Sequence, residues 1–290
     1  MAQDSQLGLQ IDETNISSIG LADDSCLLSD SIFNLNLLLH LTIVYCKKYF
    51  VELVPEKTKL LCFSPRNLEA AAFYWKLVSP LKIGAKSIEF CEEAEHVGII
   101  RSVNGNLAHI FGRISAHNAA LRSVLPAGLA RGHRGNPAAS LRIQVLYAVP
   151  RLLSGMAALV ISNSERNILH KHYKYTLEKL QRLHSGTPEV VVFLLGGSLP
   201  FGGVLDMRLL TLFGMICRLG DSNLLYKVAH STLSKPVIPT KSWFMHIQHL
   251  CTQYSLPHPL TLLLNPPTKT AFKNLTKSKI YSYWEAKLPG

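Results

Sequence analysis

Two adjacent carboxylates, Asp23 and Asp24, stand between the apolar runs Ile19-Gly20-Leu21-Ala22 and Cys26-Leu27-Leu28. At a turn between two strands both acids are exposed, while the strands hold their backbone rigid. Two-metal phosphoryl transfer uses carboxylates fixed in this way, with divalent ions held roughly 3.5–4 Å apart. Oxygen ligands suit the hard ions Mg2+ and Mn2+. Asp is also a favoured turn residue, so an Asp-Asp pair taken alone is more often a turn than a metal site.

Basic residues form the second set of candidates. Arg131, His133 and Arg134 lie in the Gly-rich stretch RGHRGN, with Arg142 just beyond in a helical segment. Such a loop can follow a phosphate backbone with little base preference. Lys269, Lys273, Lys277 and Lys279 make a further basic group near the C-terminus, which a solvated helix face would also explain. His246, His249, Cys251 and His258 are spaced H-x-x-H-x-C-x6-H, which does not match the usual zinc patterns. The first two would share a helix face and Cys251 would point elsewhere.

The whole chain supports a nucleic-acid reading in a general way. Its 290 residues hold 30 Lys and Arg against 19 Asp and Glu, a net charge of +11. That balance favours a polyanionic partner, nucleic acid or an acidic membrane face. With 48% apolar residues the chain can bury a core, which excludes general disorder. The six Cys include no C-x-x-C and no dense framework, as expected for a reduced intracellular setting, nucleus or cytoplasm. The first residues show no secretory signal. The most apolar window, 143–161, contains Gln144, Pro150 and Arg151. It reads better as a buried helix pair than as a membrane span.

The elements that must position these residues change character along the chain. Residues 7–30 read as short strands, with turns at Asp12-Glu13-Thr14-Asn15 and at the Asp pair. Ile32, Leu35, Leu38, Leu39, Ile43 and Cys46 fall at helical spacing over 31–50, with Asp30 as a cap. Strand character returns over 49–63, broken at Pro55-Glu56, and again over 95–100, before an Asn104-Gly105 turn. Beyond that turn the pattern is almost wholly helical. One face carries Leu107, Ile110, Phe111, Ile114, Leu121, Val124 and Leu125. A helix pair follows over 138–161, interrupted near Pro150. Ser162-Asn163-Ser164-Glu165 fits a capping box. Thr187-Pro188 opens a helix closed by Gly196-Gly197, and a stripe from Leu205 to Leu219 follows. Two or three shorter helices occupy 240–290, separated at 257–259 and 266–267. The fold class is α+β.

The run from Gly20 to Leu28 resembles the catalytic hairpin of reverse transcriptases of the non-LTR, LINE-type retrotransposons. Helix 31–50 is similar to the helix after that hairpin. Glu56-Lys57-Thr58-Lys59-Leu60 resembles the family's Asn-x-x-Lys strand, and Glu95-His96-Val97-Gly98-Ile99 its primer-grip-like strand. The likeness is specific over 19–100 and softer beyond 105. It implies a partial palm with the Asp-Asp hairpin over 1–105, a helical thumb-like region over 106–186, and a helical C-terminal region over 187–290. It implies RNA-directed DNA synthesis in the intact family, with Asp23 and Asp24 as Mg2+ ligands and Lys57 near the departing pyrophosphate. It also implies an RNA template or RNA–DNA duplex as partner, with Arg131, His133, Arg134 and Arg142 facing it. No membrane partner is expected.

Two departures qualify the likeness. Position 54 is Val where the family commonly has Asn. The family's fingers and first palm strand, which supplies a further metal-binding Asp, lie upstream of the hairpin, whereas 22 residues precede Asp23 here. The expectation is a truncated remnant that is inactive alone, with an unpaired strand edge that leaves Leu21, Leu27 and Leu28 abnormally exposed.

Overall fold

The computed structural model describes residues 7–63, 81–124, 136–238 and 242–287. It is α+β and divides into two compact units, residues 1–108 and 109–290. The first holds every described strand, and the second is helical.

The first unit is assembled from two-stranded pieces. β1 (Leu9–Ile11) pairs antiparallel with β2 (Thr14–Ile16), and β3 (Ser18–Leu21) with β4 (Asp24–Leu27). Helix α1 (Ile32–Lys48) follows. Its N-cap is Ser31, whose Oγ accepts the Asn34 N–H at 3.2 Å, so Ser31 rather than Asp30 starts the helix. β5 (Lys59–Leu60) pairs in parallel with β8 (Glu89–Phe90), around the hairpin of β6 (Lys82–Ile83) and β7 (Lys86–Ser87). Strand structure over 49–63 is confined to Lys59–Leu60, and Lys57 sits in a turn. The apolar run at 95–100 is not one strand. It folds as a hairpin of β9 (Glu93–His96) and β10 (Ile99–Ser102), reversed at Val97-Gly98 where both φ angles are positive. Glycine at the second turn position takes a positive φ without steric cost. The core of this unit is Leu39, Leu81 and Ile88, flanked by Leu27, Ile32, Leu35, Ile43, Leu60 and Ile83.

The second unit starts within α2 (Leu107–Val124). That helix buries His109, Ile110, His117, Ala120 and Leu121, whereas Leu107 and Phe111 are exposed. Two histidines therefore sit on the core face that the apolar stripe alone did not assign to them. α3 (Pro137–Ile143) runs on through a π-helical turn at Gln144–Ala148 into α4 (Val149–Leu153). Pro150 thus widens the helix instead of ending it. The Val149 N–H reaches back five residues to the Gln144 carbonyl, a π-bulge that fits a residue lacking its own N–H.

α5 (Asn163–Gln181) opens on the full capping box. Ser162 Oγ accepts the Glu165 N–H at 3.3 Å, and Glu165 Oε2 accepts the Ser162 N–H at 2.7 Å. α6 (Glu189–Gly196) is capped by Pro188, because the Thr187 hydroxyl donates to the His184 carbonyl instead. α7 (Phe201–Cys217) is the central helix, with ten residues buried. α8 (Leu224–Leu233), α9 (Trp243–Gln253), α10 (Pro259–Leu264) and α11 (Lys269–Lys287) complete the unit, the last three matching the pattern seen over 240–290. Tyr173 of α5 lies 6.2 Å from Phe193 and 5.8 Å from Phe201 between ring centroids, joining α5, α6 and α7.

Among the described residues no single helix is long and apolar enough to cross a membrane. The bent pair α6–α7 passes by length and composition, but α7 buries most of its apolar residues within the helical unit.

Candidate functional site

The Asp-Asp turn is built by local chemistry. β3 and β4 pair from Ser18↔Leu27 to Leu21↔Asp24, leaving Ala22 and Asp23 as a two-residue loop. A two-residue hairpin loop needs positive φ at its first position. Ala22 takes φ +54°, the one loop residue of the two that does so. A non-glycine residue held there stores about 1–3 kcal/mol of strain, which tends to persist where surrounding structure fixes it. Here Leu27, at the far end of β4, packs into the Leu39–Leu81–Ile88 core. The hairpin is thus anchored at its base, and Asp23 and Asp24 stand exposed at its tip.

Arg101 of β10 is a neighbour that no motif in the sequence singles out. Burial pushes the Cys26 thiol up, and the Arg101 guanidinium opposes that push. The β9–β10 hairpin therefore brings a cation within electrostatic reach of Cys26 on β4, two residues from Asp24. Lys57 lies in the turn at 55–57 and is exposed. The Val54 carbonyl accepts from Lys57 N–H at 3.1 Å, Thr58 N–H at 3.1 Å and Thr58 Oγ1 at 2.9 Å. The Thr58 hydroxyl thus supplies the side-chain clamp on this turn that Val54 cannot. Glu56 pairs with Lys86 and Lys59 with Glu89 beside it.

The donor set at the hairpin tip is two exposed carboxylates. Among the described residues no group of three or more His, Cys, Asp or Glu side chains gathers. Mg2+ demands near-octahedral oxygen ligation and gives up water reluctantly. Two carboxylates leave most of that shell to solvent, so the residues present do not by themselves fit a two-metal centre.

Arg131, His133 and Arg134 lie outside the described residues. Arg142 is exposed on α3, whose N-cap Asn136 accepts the Ala138 N–H at 2.9 Å. The His/Cys group near 250 is not a metal cluster. His246 Nε2 lies 2.7 Å from Arg166 Nη2, with its pKa lowered to about 4 by burial and then by Arg166. Cys251 is buried with its thiol pushed up to about 12, and His258 Nδ1 caps α10 through the Leu260 N–H at 3.3 Å.

Charge is segregated between the two units. Residues 1–108 carry nine Lys and Arg against thirteen Asp and Glu, a formal charge of −4. Residues 109–290 carry 21 against six, a formal charge of +15. The basic character of the chain belongs entirely to its helical unit. Comparison with family models, with curated proteins and with solved structures returned no match.

Proposed function

We propose that this chain derives from a LINE-type reverse transcriptase, that it does not polymerise by itself, and that its working property is sequence-independent nucleic-acid binding by residues 109–290. The observation that carries the derivation is the Asp23-Asp24 tip of an anchored hairpin, followed in order by a long helix, the β6–β7 and β9–β10 hairpins and a basic helical unit. Asp23 and Asp24 correspond to the Mg2+ or Mn2+ ligands of the intact family, with Lys57 on its pyrophosphate side. The lack of polymerase activity follows from the two-carboxylate donor set, which holds an ion too loosely to fix two reacting oxygens. The charge segregation favours a second reading, a non-catalytic basic module with no reverse-transcriptase ancestry. Both readings share the same partner, RNA or an RNA–DNA duplex.

Primer extension on an RNA template with Mg2+ or Mn2+ tests the catalytic part. The expected result is no product. Template-dependent product that vanishes in Asp23→Asn would restore the polymerase. A salt titration of RNA–DNA duplex binding tests the rest. Log affinity should fall linearly with log salt, and less steeply in Arg131→Ala/Arg134→Ala. Salt-independent binding, or none at low ionic strength, removes the nucleic-acid reading.

A further inference from the structure

The exposed ridge of α11 carries a pattern of its own. Phe272, Thr276 and Ile280 form the buried face of this helix. Lys269, Lys273, Lys277 and Tyr281 follow one another at four-residue intervals beside it, and all four are exposed. Four-residue steps keep them on one slowly winding ridge about 18 Å long. Lys277 Nζ sits 5.7 Å from the centroid of the Tyr281 ring. The one acid on the helix is Glu285, beyond the end of the ridge. None of the three lysines is ion-paired among the described residues. The same design recurs on the outer face of α5, where Lys171, Tyr175 and Lys179 are spaced by four and Lys179 Nζ lies 5.3 Å from the Tyr175 centroid.

We infer that the Lys269–Lys273–Lys277–Tyr281 ridge is a binding surface for single-stranded nucleic acid. This inference rests on the proposed nucleic-acid function and specifies its site and its ligand. A row of unpaired ammonium groups on a unit of +15 complements a phosphate chain, and each contact releases condensed counterion. The aromatic ring of Tyr281 selects the strand form. Tyr281 is 36% exposed beside Lys277, so part of its ring can meet an unpaired base, and base–aromatic stacking is sequence-tolerant. A duplex keeps its bases stacked inside and offers the ridge phosphates alone. An anionic membrane surface is the weaker fit, because a helix lying on a membrane inserts its apolar face. On α11 that face is already occupied, with Phe272 seated against Gly214 of α7.

The test uses the full chain with three probes: a fluorescein-labelled 20-nucleotide oligo(U), an RNA duplex with the same number of phosphates, and phosphatidylserine–phosphatidylcholine vesicles. Thermal melts first establish that each variant keeps its fold. Lys273→Gln/Lys277→Gln should weaken oligo(U) binding and lower the slope of log affinity against log salt by about 1.4, from roughly 0.7 per phosphate contact on a single strand. Tyr281→Leu should weaken oligo(U) about fivefold or more and leave the duplex unchanged, while Tyr281→Phe retains binding. If the unaltered chain binds oligo(U) and the double variant keeps the same affinity and slope, the ridge is overturned and the general nucleic-acid reading stands. If the unaltered chain binds neither RNA at 50 mM salt, both fall. Vesicle binding that exceeds RNA binding and depends on the same lysines overturns the single-strand ligand.

Discussion

Gly214 of α7 lies against the ring of Phe272 of α11, so closely that a Cβ on Gly214 would clash with the ring carbons Cδ1 and Cε1. Three turns earlier, Gly203 meets Trp284 in the same way, with a Cβ 2.6 Å from the indole nitrogen. The two missing side chains let α11 seat on α7, which is what turns the lysine ridge of α11 outward. Gly214→Ala should therefore destabilise the helical unit by about 1–3 kcal/mol, the usual range for overpacking. Thermal melts check this, and the loss should shrink when Gly214→Ala is made in a Phe272→Leu background. Equal losses in both backgrounds would mean that the ring and the glycine are not coupled.

The turn that presents the carboxylates makes a second prediction. Ala22 holds φ +54°. Ala22→Gly should leave stability unchanged or raise it by up to about 1 kcal/mol, since glycine adopts this φ without strain but loses more entropy on folding. Ala22→Val should lower stability by about 1–3 kcal/mol. A neutral Ala22→Val would show that the loop does not need the left-handed conformation.

The most deeply buried carboxylate among the described residues of the helical unit is structural. Asp206 is 2% exposed and accepts from Arg166 Nη2 at 2.7 Å and from Tyr254 Oη at 2.7 Å. Burial, and then Asp206, raise the Tyr254 phenol well above its ordinary pKa. Asp206→Ala leaves the half-buried Arg166 without its anion and should cost about 3–5 kcal/mol. Tyr254→Phe removes one bond to a charged group and should cost about 1.5–3 kcal/mol. Denaturant titration measures both, and an Asp206→Ala loss below that of Tyr254→Phe would contradict the network.

Three histidines set the pH response. Gln144 Nε2 lies 3.1 Å from His117 Nε2, and His172 Nε2 lies 3.0 Å from His117 Nδ1. With the amide nitrogen donating, His117 carries its proton on Nδ1 and donates to His172. Burial, and then His172, lower the His117 pKa to about 4; burial lowers His172, and His246 lies at about 4. Each folded pKa is below the unfolded value of about 6.5. The unfolded chain therefore binds more protons in this window. Stability is full above about pH 6.5 and falls progressively as pH drops toward 4. The melting temperature should be lower at pH 5 than at pH 7.5, and the difference should narrow in His117→Gln. An unchanged difference in that variant would assign the response elsewhere.

Hydrogen exchange should separate the two units. Among the described strands each pairs with a single neighbour, and Leu21 at the hairpin tip is 58% exposed while Leu27 and Leu28 are half-buried. Two-stranded hairpins are marginal on their own. The amides of β3 and β4 should exchange faster than those of α5 and α7, whose apolar faces are buried against several helices. Equal protection would remove the argument that the hairpin lacks a covering partner.

What the sequence determined by itself was local. The Ser162–Glu165 capping box, the stripes of α5 and α7, and the Asp23-Asp24 turn between two short strands all depend on residues within one helical turn or one hairpin of each other. The lysine spacing from Lys269 to Lys277 was legible for the same reason, but Tyr281 as its continuation, and the exposed ridge they form, followed from Phe272 docking on Gly214. Tertiary structure decided the rest. The run at 95–100 became a hairpin because β9 and β10 pair with each other at Val97-Gly98. Pro150 was absorbed by a π turn inside a packed helix. His109, His117 and Asp206 went inside because Ser154, Gln144, His172, Arg166 and Tyr254, all 27 or more residues away, satisfy them there. A polar side chain can be buried when its hydrogen-bonding partners are buried with it, and pairing over such separations leaves no trace in local periodicity.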